Sequence, residues 1–231
     1  MKISNIKIML FYNHNFHKVY CVNGCELFED SNNYSYWESN SVTSDEKEIT
    51  NFLNSSLFSK NKNILHVGIG NSYLAKNLIS YKSIDGITIS NNELSNGQNL
   101  KLPNYNIYFK NKYAKGDLIK DKINYYDLII DNNLKSFACC EYSFDDLIMK
   151  YKKYLKNDGF IISSLKGMSW SRIVIPVYSF SLKKFFYKRL KEFDGPKTNL
   201  MSFNDCQKLC SKHNFTLGSK LNNLIFFKKN Q

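Results

Sequence analysis

The chain has 231 residues, enough for one domain with a small appendage and too few for two separately cored domains. Hydrophobic residues make up 43% and charged residues 23%, which excludes wholesale disorder, and no apolar run approaches the ~18 residues of a membrane-spanning helix. The net charge of +12 points weakly to a polyanion, because only Arg172 and Arg189 of the 32 basic residues carry the planar fork that reads phosphates and bases.

The first 42 residues are aromatic and polar, with no long helical period. Lys7 interrupts the apolar stretch of the basic start and no small-residue cleavage site follows, so a soluble, cytoplasmic protein is expected. A helix is predicted from about Thr43 to Leu57. Ser44 is the expected cap, Asp45 and Glu46 suit the first turn, and Ile49, Phe52, Leu53 and Leu57 form its apolar stripe.

From Asn63 onward short apolar strands alternate with helices. Strands are predicted at Asn63–Val67, Ser83–Ile89, Tyr105–Phe109, Tyr126–Asp131 and Gly159–Ser164. Helices are predicted at Asn71–Ser80, about Asn91–Leu100 and about Tyr142–Leu155. This rhythm is that of an α/β fold with a parallel sheet covered on both faces. It breaks at about residues 165–201. It then resumes with a helix at Phe203–His213, capped by Ser202, and two strands near Phe215–Ser219 and Leu224–Lys228. Their short connection favours an antiparallel pair.

The six cysteines (Cys21, Cys25, Cys139, Cys140, Cys206 and Cys210) contain no CxxC, and His14, His17, His66 and His213 form no ligand ladder with them. Free thiols are expected and no metal site. Cys206 and Cys210, four apart in a helical pattern, suit apolar packing.

The most informative segment is Ile64–Leu78, ILHVGIGNSYLAKNL. A buried strand runs into Gly68, Ile69, Gly70, Asn71 and Ser72, and a helix opens at once. Glycines there let the backbone turn sharply and a ligand approach it closely. The helix start offers unpaired N–H groups to a polar ligand. This unit resembles the first motif of the class I S-adenosylmethionine (SAM) methyltransferases. Asp127–Asn132 (DLIIDN) is similar to the fourth-strand motif, and Leu155–Ile161 (LKNDGFI) to the segment that enters the fifth strand. The resemblance covers about residues 63–228. It implies a Rossmann-like seven-stranded sheet in the order 3-2-1-4-5-7-6, mostly parallel with an antiparallel last strand, and helices on both faces.

The resemblance also implies SAM as cofactor, held by His66, Gly68, Gly70, Asn71, Ser72, Thr88, Ile89, Tyr113 and Asp131. Two positions depart from the family pattern. His66 stands two before the first glycine, where an acidic residue is usual. Thr88 ends the second strand, where Asp or Glu usually holds the ribose. The GITIS segment around Thr88 is similar to that of the cyclopropane-fatty-acid-synthase branch, and Glu93, one turn on, offers a substitute acid. His66 is read either as a hydrogen-bonded packing residue or as a contact to the methionine end of SAM. Asp117, Lys112 and Tyr113 are further candidates near the adenine.

Methyl transfer is an in-line displacement, so the protein chiefly orients its partners. Asp131, Asn132 and His66 are the candidates for a base or orienting group. No motif for nucleic-acid methylation is present. The acceptor is therefore expected to be a small molecule bound by a cap of residues 1–42 and an insertion at about 165–201, placed on a methyltransferase domain of residues 43–231. Tyr34, Tyr36, Trp37, Trp170 and Arg172 are its candidate contacts, and Lys183, Lys184, Lys188 and Arg189 suit an anionic acceptor if they face it. Oxygen methylation of a polar sugar, phosphate or phosphoramidate for a surface polysaccharide is the leading reading. Carbon or nitrogen methylation of a lipid or amine, and a non-catalytic domain that kept the fold, stay open. A monomer or homodimer is expected.

Overall fold

The computed structural model of the protein describes residues 7–10, 42–135, 138, 141–165, 167, 173–176, 201–218 and 221–230. In chain order the elements are β1 Lys7–Leu10, α1 Ser44–Ser55, β2 Asn63–Val67, α2 Tyr73–Asn77, β3 Ser83–Thr88, α3 Asn91–Asn99 and β4 Tyr105–Phe109. They continue with β5 Tyr126–Asp131, α4 Glu141–Tyr154, β6 Leu155–Ser164, β7 Ile173–Pro176, α5 Phe203–His213, β8 Phe215–Leu217 and β9 Leu224–Lys229.

Seven strands form one sheet in the order β4-β3-β2-β5-β6-β9-β8. Counting only these strands along the chain, the order is the expected 3-2-1-4-5-7-6. The first five are parallel and β9 runs antiparallel to both β6 and β8. The order reverses at β2, so the crevice for a ligand lies at the carboxyl ends of β2, β3 and β5. A separate antiparallel pair joins β1 to β7, with Lys7 opposite Pro176.

Strand alternation sorts the core into two layers. Ile64, Ile84, Leu128, Ile130 and Ile162 point to the face covered by α1 and α2, where Ile49, Leu53 and Leu74 meet them. Leu65, Ile87, Ile129 and Ile161 point the other way, toward Leu147, Ile148 and Tyr151 of α4 and Cys206 and Leu209 of α5.

Several boundaries differ from the sequence reading. Thr43, not Ser44, caps α1, its hydroxyl accepting from the Glu46 N–H at 3.4 Å. The helix ends at Ser55, and Leu57 leaves the apolar stripe with φ of 50° and 54% exposure. α2 is five residues long instead of ten. Asn54 of α1 explains the early stop, since its side chain donates to Asn77 O and accepts from Ile79 N–H, which takes up the groups another turn would use. β6 begins four residues early, where Leu155 pairs Tyr126 before a bulge. Ser202 caps α5 through a capping box closed by Asp205. No helix among the described residues is long and apolar enough to cross a membrane.

Candidate cofactor and acceptor site

The turn after β2 is built for close approach. Gly68 has φ of +76° and Gly70 of +53°, a region open to glycine and costly for other residues. A Cβ added to Gly68 would meet no atom within 4 Å, so the space above this turn is open. The ladder to β3 continues through it, the Gly68 N–H donating to Ile87 O at 2.9 Å. Ser72 also has a positive φ, but its buried hydroxyl is used inside the fold, 2.9 Å from that of Tyr105. Asn71 is half-buried at the entrance to α2.

The expected helix N-terminus offers less than the sequence suggested. α2 is short, and the Leu74 N–H already donates to Glu46 Oε1 of α1 at 3.3 Å. Burial raises the Glu46 carboxyl to about 8, and neighbouring Asp45 and Glu93 add to the rise. Glu46 is thus mainly neutral at pH 7.

At the end of β3 the missing acid is present by another route. The Thr88 hydroxyl donates to Glu93 Oε2 at 2.6 Å and accepts from Ser90 N–H at 3.0 Å. Both roles of that hydroxyl are filled, so Glu93 presents the carboxylate beside this strand end. Half-buried Ile89 follows directly.

His66 is fully buried in β2, and neither ring nitrogen has a hydrogen-bond partner among the described residues. The hydrogen-bonded packing role is therefore corrected. Burial pushes its pKa down to about 4, so the ring is neutral near pH 7. It shares the α1 face with Ile64, and Ile130 of β5 lies beside it in register.

Asp131 is not free to act as a base. Its Oδ2 accepts from Lys112 Nζ at 2.8 Å and from the Tyr151 hydroxyl at 2.8 Å, while Oδ1 accepts from Asn133 N–H at 3.1 Å. The residue is 2% exposed. Lys112 also donates to the carbonyls of Asn133 and Leu134, so it ties the loop after β4 to the loop after β5. It is turned inward, away from the role of lining an adenine pocket. Tyr113 packs in the α4 layer under the Lys112 ammonium. Asp117 is also corrected. It is exposed and paired with Lys153 at 3.0 Å, at the end of α4 and remote from the ligand edge.

Sequence reasoning missed three residues here. Lys112 was considered only as a pocket wall, and Asp45 only as a partner for the helix dipole. Gly167 was not considered at all. A Cβ on Gly167 would lie 2.2 Å from Asn132 O and 2.8 Å from Asp45 Oδ2, so it must be glycine for those groups to come together. The signal was a glycine three residues beyond the fifth strand. Tyr34, Tyr36, Trp37, Trp170, Arg172, Lys183, Lys184, Lys188 and Arg189 lie outside the described residues, as do Cys21, Cys25, Cys139 and Cys140. Cys206 and Cys210 are free and buried, and burial pushes their thiols up to about 12 and 11.

No protein-family model matches the sequence, and no curated protein matches it significantly. Solved structures do match in shape. Magnesium protoporphyrin IX methyltransferase from Synechocystis, with bound S-adenosylhomocysteine (SAH), is 13% identical over 80% of this chain and 81% of its own, with a TM-score of 0.54. The N-methyltransferase NodS from Bradyrhizobium japonicum, also an SAH complex, is 11% identical over 86% of this chain and 98% of its own, with a TM-score of 0.53. The chain has the SAM-dependent methyltransferase fold. A possible exported protein from Bordetella parapertussis is similar at 13% identity, over 81% of this chain and 69% of its own, with a TM-score of 0.54. Gly68 and Asn132 directly follow β2 and β5, and Glu93 lies in α3 just after β3, the strands whose carboxyl ends border the ligand crevice of such sheets.

Proposed function

We propose that the protein is a SAM-dependent methyltransferase acting on a small molecule. The observation that carries this reading is Gly68, a left-handed glycine at the end of the central strand with open space where its side chain would be. A nucleoside can lie over it, with its ribose toward Glu93 beside β3 and its amino-acid end toward His66 and Asn132. SAM, when bound, supplies an electrophilic methyl group on a sulfonium. The chain's own residues hold the two partners in line and exclude water.

The saturated Asp131 bears on the acceptor. A neutral hydroxyl needs a nearby base, and the strand end expected to supply one is occupied by Lys112 and Tyr151. An oxygen that is already ionised needs only positioning. This supports oxygen methylation of a polar metabolite bearing a phosphate or phosphoramidate, such as an activated sugar for a surface polysaccharide. We place the protein in the cytoplasm, where such activated precursors are made. The acceptor contacts are assigned to Tyr34, Tyr36, Trp37, Trp170 and Arg172.

Calorimetric titration with SAH tests the cofactor, and no binding at high micromolar concentration would overturn this reading. Radiolabelled methyl transfer to a panel of nucleotide sugars, phosphorylated metabolites, amines and lipids tests the acceptor. Transfer confined to amines or lipids would overturn the oxygen assignment.

A further inference from the structure

Four loops feed β2, β3, β4 and β5 at the amino edge of the sheet, opposite the ligand crevice: residues 56–62, 78–82, 100–104 and 119–125. They form one face. The Lys82 N–H donates to Lys62 O at 2.9 Å, the Tyr81 hydroxyl to Pro103 O at 3.4 Å, and the Asn63 side chain to Tyr125 O at 3.3 Å. Each loop displays one exposed aliphatic side chain: Leu57, Ile79, Leu100 and Ile123, with Ile79 exposed to 75%. A single exposed leucine needs no explanation, but four on adjoining loops make a patch.

Charge on the same face is almost all of one sign. The loops hold Lys60, Lys62, Lys82, Lys101, Lys120 and Lys122 against one carboxylate, Asp121. Among the described residues, only Lys62 and Lys122 of these six reach an acid, Lys62 at 4.0 Å from Asp127 and Lys122 at 3.4 Å from Asp85. The backbone is the independent observation. Leu57 and Lys101 both have φ of 50°, in the left-handed region that Asn61, Asn104 and Asn124 take in the same loops. Asparagine tolerates that region, whereas a branched or long side chain is disfavoured there. Leu57 gains no burial in return and Lys101 no ion pair, so neither is explained by the fold.

We propose that this face docks the protein on an anionic lipid bilayer, with the lysines at the phosphate headgroups and the four aliphatic side chains in the interface. Exposed apolar groups among lysines match a surface of opposite charge and apolar depth. A second copy of the same face is opposed by like charge. Nucleic acid calls for arginine forks and aromatic stacking, and Leu57, Ile79, Leu100 and Ile123 offer neither. Docking here turns the carboxyl ends of β2, β3 and β5 away from the lipid, so the crevice stays open to soluble ligands. The inference does not depend on the methyltransferase reading.

The test is co-sedimentation of the full chain with vesicles of phosphatidylcholine alone and of phosphatidylcholine mixed equally with phosphatidylglycerol. Wild type is expected to partition onto the anionic vesicles about tenfold more strongly or better, and added salt should weaken it. A variant combining Lys60→Gln, Lys82→Gln, Lys101→Gln and Lys120→Gln should lose about a hundredfold or more, at about fivefold for each lysine. Leu57→Asn with Ile79→Gln should lose about tenfold or more, because two inserted side chains are gone. Met149→Gln with Lys208→Gln, at exposed positions on α4 and α5, should change nothing. Equal partition of wild type onto the two vesicles, or none onto either, would overturn the proposal. So would a loss in the lysine variant with none in the Leu57, Ile79 variant, which is the behaviour of a general polyanion surface. A loss as large in the Met149, Lys208 variant would overturn it too. A wild-type dimer that Leu57→Asn with Ile79→Gln dissociates would assign the face to a second copy instead. Melting temperatures check that each variant is folded, and Leu57→Asn places at φ of 50° a residue suited to it.

Discussion

Thr88 gives its hydroxyl to Glu93 at 2.6 Å, so a threonine and a glutamate five residues apart together occupy the place of one acidic residue at the end of β3. The division of labour has a consequence for ribose binding. In the proposed cofactor site Glu93 would be the acceptor for the two ribose hydroxyls, with Thr88 orienting it.

Glu93→Gln should therefore weaken SAH binding more than Thr88→Val does. The loss of a charged acceptor is worth about 1.5–3 kcal/mol, against about 0.5–1.5 kcal/mol for an orienting hydroxyl. Calorimetry on both variants checks the order. A larger effect for Thr88→Val would mean that the threonine contacts the ligand itself.

The Lys112–Asp131 pair makes a prediction about stability. Desolvation lowers the Lys112 pKa, and the nearby Asp131 charge opposes that fall. Lys112→Met removes the cation and leaves a buried carboxylate with only Tyr151 and the Asn133 N–H. Breaking one side of such a pair costs about 3–5 kcal/mol. Urea denaturation should show a loss of that size. If Asp131 were instead the base that takes the acceptor's proton, Asp131→Asn would abolish methyl transfer while leaving the urea midpoint almost unchanged. The expected outcome is a lower midpoint.

What the sequence made legible, and what it did not, follows the range of the interactions. β2, β4, β5 and α5 carry strong local signals: runs of apolar residues between Asn, Gly and Ser, or a helix cap read directly from Ser202. They match residue for residue. Gly68 was legible for the same reason, since a glycine between strand and helix has a local cause. α2 was read too long because its end is decided by Asn54, which lies 23 residues earlier in the chain. Asp131 was read as a free carboxylate because Lys112 and Tyr151 approach it from 19 and 20 residues away in sequence. Asp45 and Gly167 are separated by 122 positions, and no local pattern joins them.

Glu46 and His66 set opposing pH dependences. Glu46 is raised from 4.5 to about 8, so the folded state binds a proton that the unfolded chain has released. Its contribution is full below 4.5 and is lost as pH rises through 8. His66 is lowered from 6.5 to about 4, so its contribution is full above 6.5 and is lost as pH falls toward 4. Between 4.5 and 6.5 the two slopes cancel in part. Above 6.5 Glu46 acts alone, and stability should decline toward pH 8. Glu46→Gln should flatten that alkaline decline and uncover a rise in stability between pH 4 and 6.5, whereas His66→Gln should extend the decline down to about pH 4.5. Thermal unfolding from pH 4 to 9 reads both, and an unchanged alkaline limb in Glu46→Gln would exclude the carboxyl as its cause.

Gly68 and Gly167 separate recognition from packing. A Cβ on Gly68 meets no atom within 4 Å, so the main cost to the fold is the strain of φ at +76°, about 1–2 kcal/mol. Gly68→Val should stay folded and lose SAH binding, because the branched side chain fills the space proposed for the ligand. Gly167→Ala meets the Asn132 carbonyl at 2.2 Å, a backbone atom that cannot swing aside. The β5 exit must shift, at a cost of about 1–3 kcal/mol, as for other overpacked sites. SAH affinity should fall with it, because Asn132 lies at the strand end that borders the proposed cofactor site. A folded Gly68→Val protein with wild-type affinity would mean that the turn after β2 is not the cofactor site. A Gly167→Ala protein with both wild-type stability and affinity would mean that the Asn132 loop has room to retreat.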